Sequence, residues 1–343
     1  MTNSLRRSIA VLIFAALAAG ASPALADAPG PLTLCLAAAA DDSPVYPLKA
    51  VPANNREIVV VFRLRDDEAF GALTHTWTVV DVGAALPAGT VIASGSVPAR
   101  DLKHGVLRMK VGKDLAVGTY HLDVAAEKKP WASLDIRVVA ATPVTSLAKP
   151  EDLLPLVPGT AWTYSFVLET GPAAKNKKFT VAGVDRGADG VFRGAETLKV
   201  AAKDGYGARI EFRRGETLLD EEWWALGPAG LAIARMRLGT EEAAFDPPVP
   251  MLVLPLASPA AWTHKAKDGS FEYDYRMWGP LAVAARGGET PGWVVWLKQT
   301  AGNQATTIER QFAPGVGLVR EVKVVALGTA LFYRQELVLQ APK

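Results

Sequence analysis

Leu154-Pro155-Leu156-Val157-Pro158-Gly159-Thr160-Ala161-Trp162-Thr163-Tyr164 returns 100 residues later as Leu254-Pro255-Leu256-Ala257-Ser258-Pro259-Ala260-Ala261-Trp262-Thr263-His264. Leu-Pro-Leu and Ala-Trp-Thr recur at identical spacing. Each stretch is followed further on by an aromatic residue, a glycine-bearing turn and Gly-Leu: Trp224 to Leu231 in one half, Phe312 to Leu318 in the other. Self-similarity at a fixed period is the mark of a repeated structural unit. The second part of the chain is therefore read as one domain, 154–341, built from two copies, 154–250 and 254–341.

Between these marks the polarity alternates. Phe271, Tyr273, Tyr275 and Met277 fall on one face of an extended chain, and Glu272, Asp274 and Arg276 on the other, with Trp278 at the polar end, because successive strand side chains point to opposite sides. Arg209 to Arg213 and Thr197 to Val200 follow the same habit, that of antiparallel sheets with one dry face. Trp293-Val294-Val295-Trp296-Leu297 is apolar on both faces and is expected to lie centrally or under cover. Glycines at 187, 190, 205, 207, 215, 287 and 288 mark the hairpin turns.

Upstream, short β-rich runs at Arg56–Leu64, Leu73–Val82, Thr90–Val97, Gly105–Val111, Thr119–Ala126 and Trp131–Val139, with the apolar run around Cys35, make about seven strands. That pattern predicts an immunoglobulin-like β-sandwich over 28–141. Leu115-Ala116-Val117-Gly118-Thr119-Tyr120 resembles the tyrosine corner of such sandwiches, although the cysteine pair of antibody domains is missing. Residues 142–153, with Pro143 and Pro150, read as a linker ending in one helical turn. The fold class expected is all-β: a sandwich followed by a duplicated, curved antiparallel sheet.

The opening and closing marks of the second domain resemble a signature of uncharacterised exported bacterial β-rich proteins, PLxxGxxWxY followed by a terminal PGxGLV. Here it is carried by Pro155, Leu156, Gly159, Trp162 and Tyr164, then Phe312, Pro314, Gly315, Gly317, Leu318 and Val319. The second copy departs from it, with Pro259 for the glycine and His264 for the tyrosine. The resemblance covers little more than this domain and implies no activity for any residue. It implies a curved antiparallel sheet, similar to lipoprotein-carrier-like folds with an apolar concavity.

The first 26 residues read as an export leader: Arg6 and Arg7, an apolar run from Ile9 to Ala19, and Ala24-Leu25-Ala26 at the cut, so that the mature chain starts at Asp27. The apolar run is too short to span a bilayer. Leu34 before Cys35 does not fit a lipid-attachment site, and Ser8-Ile9-Ala10 fits a twin-arginine signal poorly. The product is expected in the periplasm or outside the cell, with no integral membrane segment after cleavage. One cysteine permits no internal disulfide, so the fold rests on packing, and Cys35 reads as a small buried hydrophobe. Without the leader's two arginines, 35 basic residues balance 35 acidic ones. That disfavours nucleic acid as a partner.

No nucleophile elbow, H-E-x-x-H, Walker loop or dinucleotide fingerprint is present, and no cofactor is expected. His75, His104, His121 and His264 are scattered, without metal-ligand spacing. Asp185, Asp189, Gly190 and Glu196 match four positions of a calcium loop, but Gly187 and Arg193 occupy two others and the flanks read as strands, which favours a hairpin turn. Asp66-Asp67-Glu68 reads as a solvated loop. Glu221-Glu222 beside Trp223-Trp224 suggests paired carboxylates, yet adjacent strand residues point to opposite faces. One core and one partly exposed tryptophan are expected there.

The reading is of an exported, non-catalytic binding or envelope-associated protein whose ligand is a small molecule, lipid or glycan. The candidate ligand-binding residues are Trp162, Trp262, Trp293, Trp296 and His264; the alternative, which the pattern favours, is that the four tryptophans are simply repeat-defining core residues. A secreted hydrolase is the alternative, favoured if His264 meets Asp268 or Glu272 in an open cleft. A sandwich edge that docks a partner strand is a third reading. Two or three coplanar exposed indoles point to glycan, and a continuous apolar groove points to lipid.

Overall fold

The computed structural model describes residues 31–340 except 100, 101, 103, 144–149, 176, 178, 270, 286, 287 and 329. The leader expected at 1–26 and much of the linker lie outside the described residues. The chain divides between Pro143 and Val144 into two compact units. Apart from single 3-10 turns at Gly83–Ala85, Pro150–Asp152 and Pro172–Ala174, every regular element described is a strand. No helix among the described residues is long and apolar enough to cross a membrane.

The first unit holds β1 (Leu32–Ala38), β2 (Pro44–Pro47), β3 (Val51–Pro52), β4 (Glu57–Arg63), β5 (Ala72–Asp81), β6 (Val91–Pro98), β7 (His104–Lys110), β8 (Gly118–Ala126) and β9 (Lys129–Val139). They form two sheets, β2-β1-β4-β7 and β3-β9-β8-β5-β6. Alternate residues from both, among them Leu34, Val60, Phe62 and Leu107 from one and Trp77, Tyr120, Leu122 and Ile136 from the other, share one core. Two strands exceed the seven expected. β2 and β3 are short and carry Pro44, Pro47 and Pro52, and both lie at sheet edges, where a residue without an N–H breaks no ladder. The Tyr120 hydroxyl donates to the Ala116 carbonyl at 2.9 Å, the bond of a tyrosine corner. Cys35 is buried, and burial pushes its thiol up to about 12.

The second unit is one antiparallel sheet of β10 (Ala161–Thr170), β11 (Phe192–Asp204), β12 (Gly207–Arg214), β13 (Thr217–Gly227), β14 (Gly230–Leu238), β15 (Glu241–Val253), β16 (Ala260–Lys265), β17 (Glu272–Ala285), β18 (Gly288–Ala301), β19 (Gln304–Ala313), β20 (Gly317–Leu327) and β21 (Ala330–Leu339). Its order is β15-β14-β13-β12-β11-β10-β21-β20-β19-β18-β17-β16. Two six-stranded meanders, β10–β15 and β16–β21, thus meet where β10 pairs with β21, from Tyr164–Leu339 to Thr170–Tyr333. The sheet curls around a single core that draws on all but the outward positions: Phe166, Phe212, Trp224, Tyr273, Tyr275, Trp293, Phe312 and Tyr333 all belong to it.

The alternation read at 271–278 holds for its first seven residues: Phe271, Tyr273, Tyr275 and Met277 face the core. Trp278 is buried as well, and the register shifts just beyond it, between Trp278 and Leu281. Trp293 to Leu297 is buried on both faces, as its composition required. The outward positions of β12–β15 carry a ladder of charge, with Arg209 and Arg237 on Glu221, Arg213 on Glu211 and Arg235 on Glu242. A wall so charged is the reverse of the apolar band that a lipid-facing barrel presents.

The curl does not close through its backbone. β15 and β16 are the two ends of the strand order and share no ladder among the described residues. Side chains meet there instead: Phe245 lies edge-on to Phe271, with centroids 6.1 Å apart, and Lys267 Nζ reaches Asp246 at 2.6 Å.

Candidate functional site

The signature residues of the first copy converge on one structural clasp. The Trp162 indole N–H donates to the Val316 carbonyl at 3.0 Å, and the Tyr164 hydroxyl to the Leu318 carbonyl at 2.7 Å. The Gly315 amide donates to the Asp152 carbonyl at 2.6 Å. Gly317 sits at φ +94°, where any Cβ would run into the Leu154 side chain. The opening and closing motifs are thus two sides of one junction, and Trp162, a candidate binding residue, has its polar end occupied by the fold.

Inside the curl, strand parity brings charged groups into the core. Arg310 shares a face with Ile308, and Glu321 and Lys323 share one with Val325. Arg310 Nε and Glu321 pair at 2.7 Å with both side chains buried. Lys323 Nζ lies 5.2 Å over the Tyr333 ring, and burial pulls its ammonium well below the usual lysine range. On β13, Glu222 accepts from the Trp224 indole N–H at 2.6 Å. Its carboxyl is raised to about 7, first by burial and also by the nearby Glu321, while the Trp224 bond and Arg310 pull it back. Four strands intervene between β13 and β20 in the sheet, so this coupling runs across the interior.

A second cluster lies beside it. Arg214 Nε pairs with Glu196 at 3.3 Å, both buried. Asp220 is pushed well above the carboxylate range by burial and by Glu222 and Glu196, against the pull of Arg214. Glu196, one of the calcium-template residues, therefore serves the interior of β11. Asp189 instead accepts from its own loop at the Val191 amide and pairs with Arg193. Glu221 and Glu222 do face opposite ways. Trp223, however, is not partly exposed as expected: Arg235 covers its ring at 4.8 Å and its N–H reaches Asp204 at 2.6 Å.

The β16–β17 hairpin lines the interior at the open junction. Trp262 and Tyr275 are cross-strand partners whose rings stack at 5.0 Å and 8°. His264 pairs with Tyr273 in register and stacks on Phe271 at 5.8 Å. Trp262 Nε1, His264 Nε2 and the Tyr275 hydroxyl are buried without a hydrogen-bond partner. Burial holds His264 below the usual imidazole range and raises the Tyr275 phenol. Buried polar ends normally find partners, so three orphans on one hairpin make it the candidate site, although the Trp293 and Trp296 indole nitrogens are unpartnered too.

The remaining candidates separate. Trp293 belongs to the interior, its indole edge packed on Gly279. Trp296 lies on the opposite face, with Arg276 5.9 Å over its ring, so it does not join Trp262 and His264. His264 is not assembled with an acid: Glu272 is held on the other face by Lys265 Nζ at 2.7 Å, and Asp268 is in the exposed turn beyond β16. A cleft of about 340 Å³ opens elsewhere, lined by Leu154, Leu156, Ala208, Trp224 and Leu226 with Asp204 at its rim.

Sequence reasoning missed Tyr275, Glu222, Arg310, Glu321 and Lys323 as site residues. Parity carries the signal for the last three, since charges standing in phase with Ile308 and Val325 point inward.

No protein-family model matches the chain, and no curated protein does. Among solved structures, a "putative lipoprotein" from Parabacteroides distasonis ATCC 8503 aligns over 55% of this chain and 98% of its own at 11% identity, with a TM-score of 0.23. A likeness at that level carries no argument about function.

Proposed function

We propose that this chain is an exported, non-catalytic binding protein, and that the curled twelve-stranded sheet of β10–β21 holds an apolar small molecule in its interior. The observation that carries the reading is the β16–β17 hairpin, where Trp262, His264 and Tyr275 present buried polar ends without partners inside an aromatic core, beside a junction closed only by side chains. Aromatic lining with a few convergent polar groups is the usual make-up of a small-molecule site. Export rests on the leader-like residues 1–26.

The disposition of tryptophan favours an apolar ligand over a glycan. Of nine tryptophans, seven are buried and two, Trp131 and Trp262, are half-buried, so none offers the open ring face on which a sugar stacks. The hydrolase reading loses its premise with His264 turned inward and Glu272 outward. Native mass spectrometry of residues 27–343, produced through a periplasmic host, is the test. A mass excess of several hundred daltons that organic solvent removes is expected, and a bare chain that takes up no apolar probe refutes the reading.

A further inference from the structure

The two meanders make the same contacts at one junction and not at the other. Where β10 meets β21, a backbone ladder runs from Tyr164–Leu339 to Thr170–Tyr333, and Trp162 and Tyr164 donate to carbonyls in the β19–β20 turn. If the segments are copies, the matching junction is β16 with β15, and the matching acceptors are the Ala229 and Leu231 carbonyls of the β13–β14 turn. There no backbone ladder joins the two strands among the described residues. Ala229 O is taken by the Leu254 amide at 3.1 Å, and Trp262 and His264, which stand where Trp162 and Tyr164 stand, have no acceptor for their outer ring nitrogens. Pro259 replaces Gly159 at this point.

We infer that the β15–β16 junction is the mouth of the interior site, and that Trp262 Nε1 and the Tyr275 hydroxyl there bind the uncharged acceptor oxygen of a largely hydrocarbon ligand, a ketone or an ester. This rests on the reading of the unit as an apolar-ligand binder and names the chemistry of the polar end. Both groups are donors on rings stacked face to face in parallel planes 5.0 Å apart between centroids, so an acceptor oxygen is what satisfies them. A carboxylate is disfavoured because the cation that Tyr275 senses, Arg310, is already neutralised by Glu321 at 2.7 Å. The cations of this hairpin are turned elsewhere: Lys265 onto Glu272, Lys267 onto Asp246 and Arg276 over the Trp296 ring on the opposite face. A buried carboxylate without a cation costs far more than a buried carbonyl that receives two hydrogen bonds. Phe245 and Phe271, with Asp246 and Lys267 outside them, are the groups a ligand must part to enter.

The test compares methyl octyl ketone, decane and decanoate, each equilibrated by dialysis against the chain from residue 27 and quantified by gas chromatography. The ketone is expected to bind at least about tenfold more tightly than decane, from two hydrogen bonds, and decanoate more weakly than the ketone. In the double variant Trp262→Phe, Tyr275→Phe the ketone falls to the level of decane, while decane stays within about twofold of wild type, which also reports that the fold is intact. Equal binding of ketone and decane by the wild type overturns the inference and leaves the apolar reading standing. A ketone preference that survives in the double variant, or decanoate binding most tightly, overturns it too. If none of the three binds, the proposed function falls with it.

Discussion

Glu222→Gln isolates one buried proton. Free glutamate titrates near 4.5, and burial in the curl raises Glu222 to about 7. Between those two values the unfolded chain has lost its proton while the folded chain retains it, so stability falls as pH rises through that window and is level above it. The difference corresponds to about 3 kcal/mol. Glutamine has no proton to lose, and its carbonyl can still accept the Trp224 indole N–H that Glu222 accepts at 2.6 Å. Wild type is therefore expected to lose about 2.5 kcal/mol more than the variant between pH 5 and pH 8. Urea unfolding followed by tryptophan fluorescence measures it, because seven of the nine tryptophans lie in this unit. Asp220, raised in part by the Glu222 charge, loses part of its own shift in the variant and adds to the difference in the same direction, while the more distant titrating groups are common to both proteins and largely cancel. An equal loss in the two proteins refutes the argument, since it means that Glu222 ionises in the fold as it does in water.

Three further outcomes follow from the geometry. Tyr164→Phe strands the buried Leu318 carbonyl and is expected to cost about 1–3 kcal/mol in urea unfolding; no change shows that the clasp does not hold the junction. Gly317→Ala combines φ +94° with a collision against Leu154 and is expected to cost more than about 2 kcal/mol, read as a lowered thermal midpoint. Cys35, buried with its thiol pushed up to about 12, should resist maleimide at pH 8 in the native protein and react in urea; rapid native labelling contradicts its placement.

Much of the architecture was legible because strand parity is local. The dry face at Phe271, Tyr273, Tyr275 and Met277, the doubly buried run Trp293–Leu297 and the tyrosine corner at Tyr120 all came from spacing that two or three residues define. The short edge strands β2 and β3 escaped notice because their prolines read as loop. Trp223 was misplaced because its cover, Arg235, comes from a neighbouring strand that no local pattern identifies.

The site divides along the same line. Trp262 and His264 stood out in the sequence as departures or matches within a repeat, while Tyr275 appeared only as one more aromatic on a dry face. The amino-acid order alone determined that both domains are built from strands and, at Phe271–Met277 and Trp293–Leu297, which side chains are buried, since these depend on alternation along a single strand. Only the tertiary structure decided that Trp162 is clasped by Val316 while Trp262 is left without a partner, and that Glu222 answers to Arg310 and Glu321. Those facts depend on how far a twelve-stranded sheet curls and at which junction its ladder fails to close, which is set by the sum of many small strand twists and bulges rather than by any residue's neighbours in sequence.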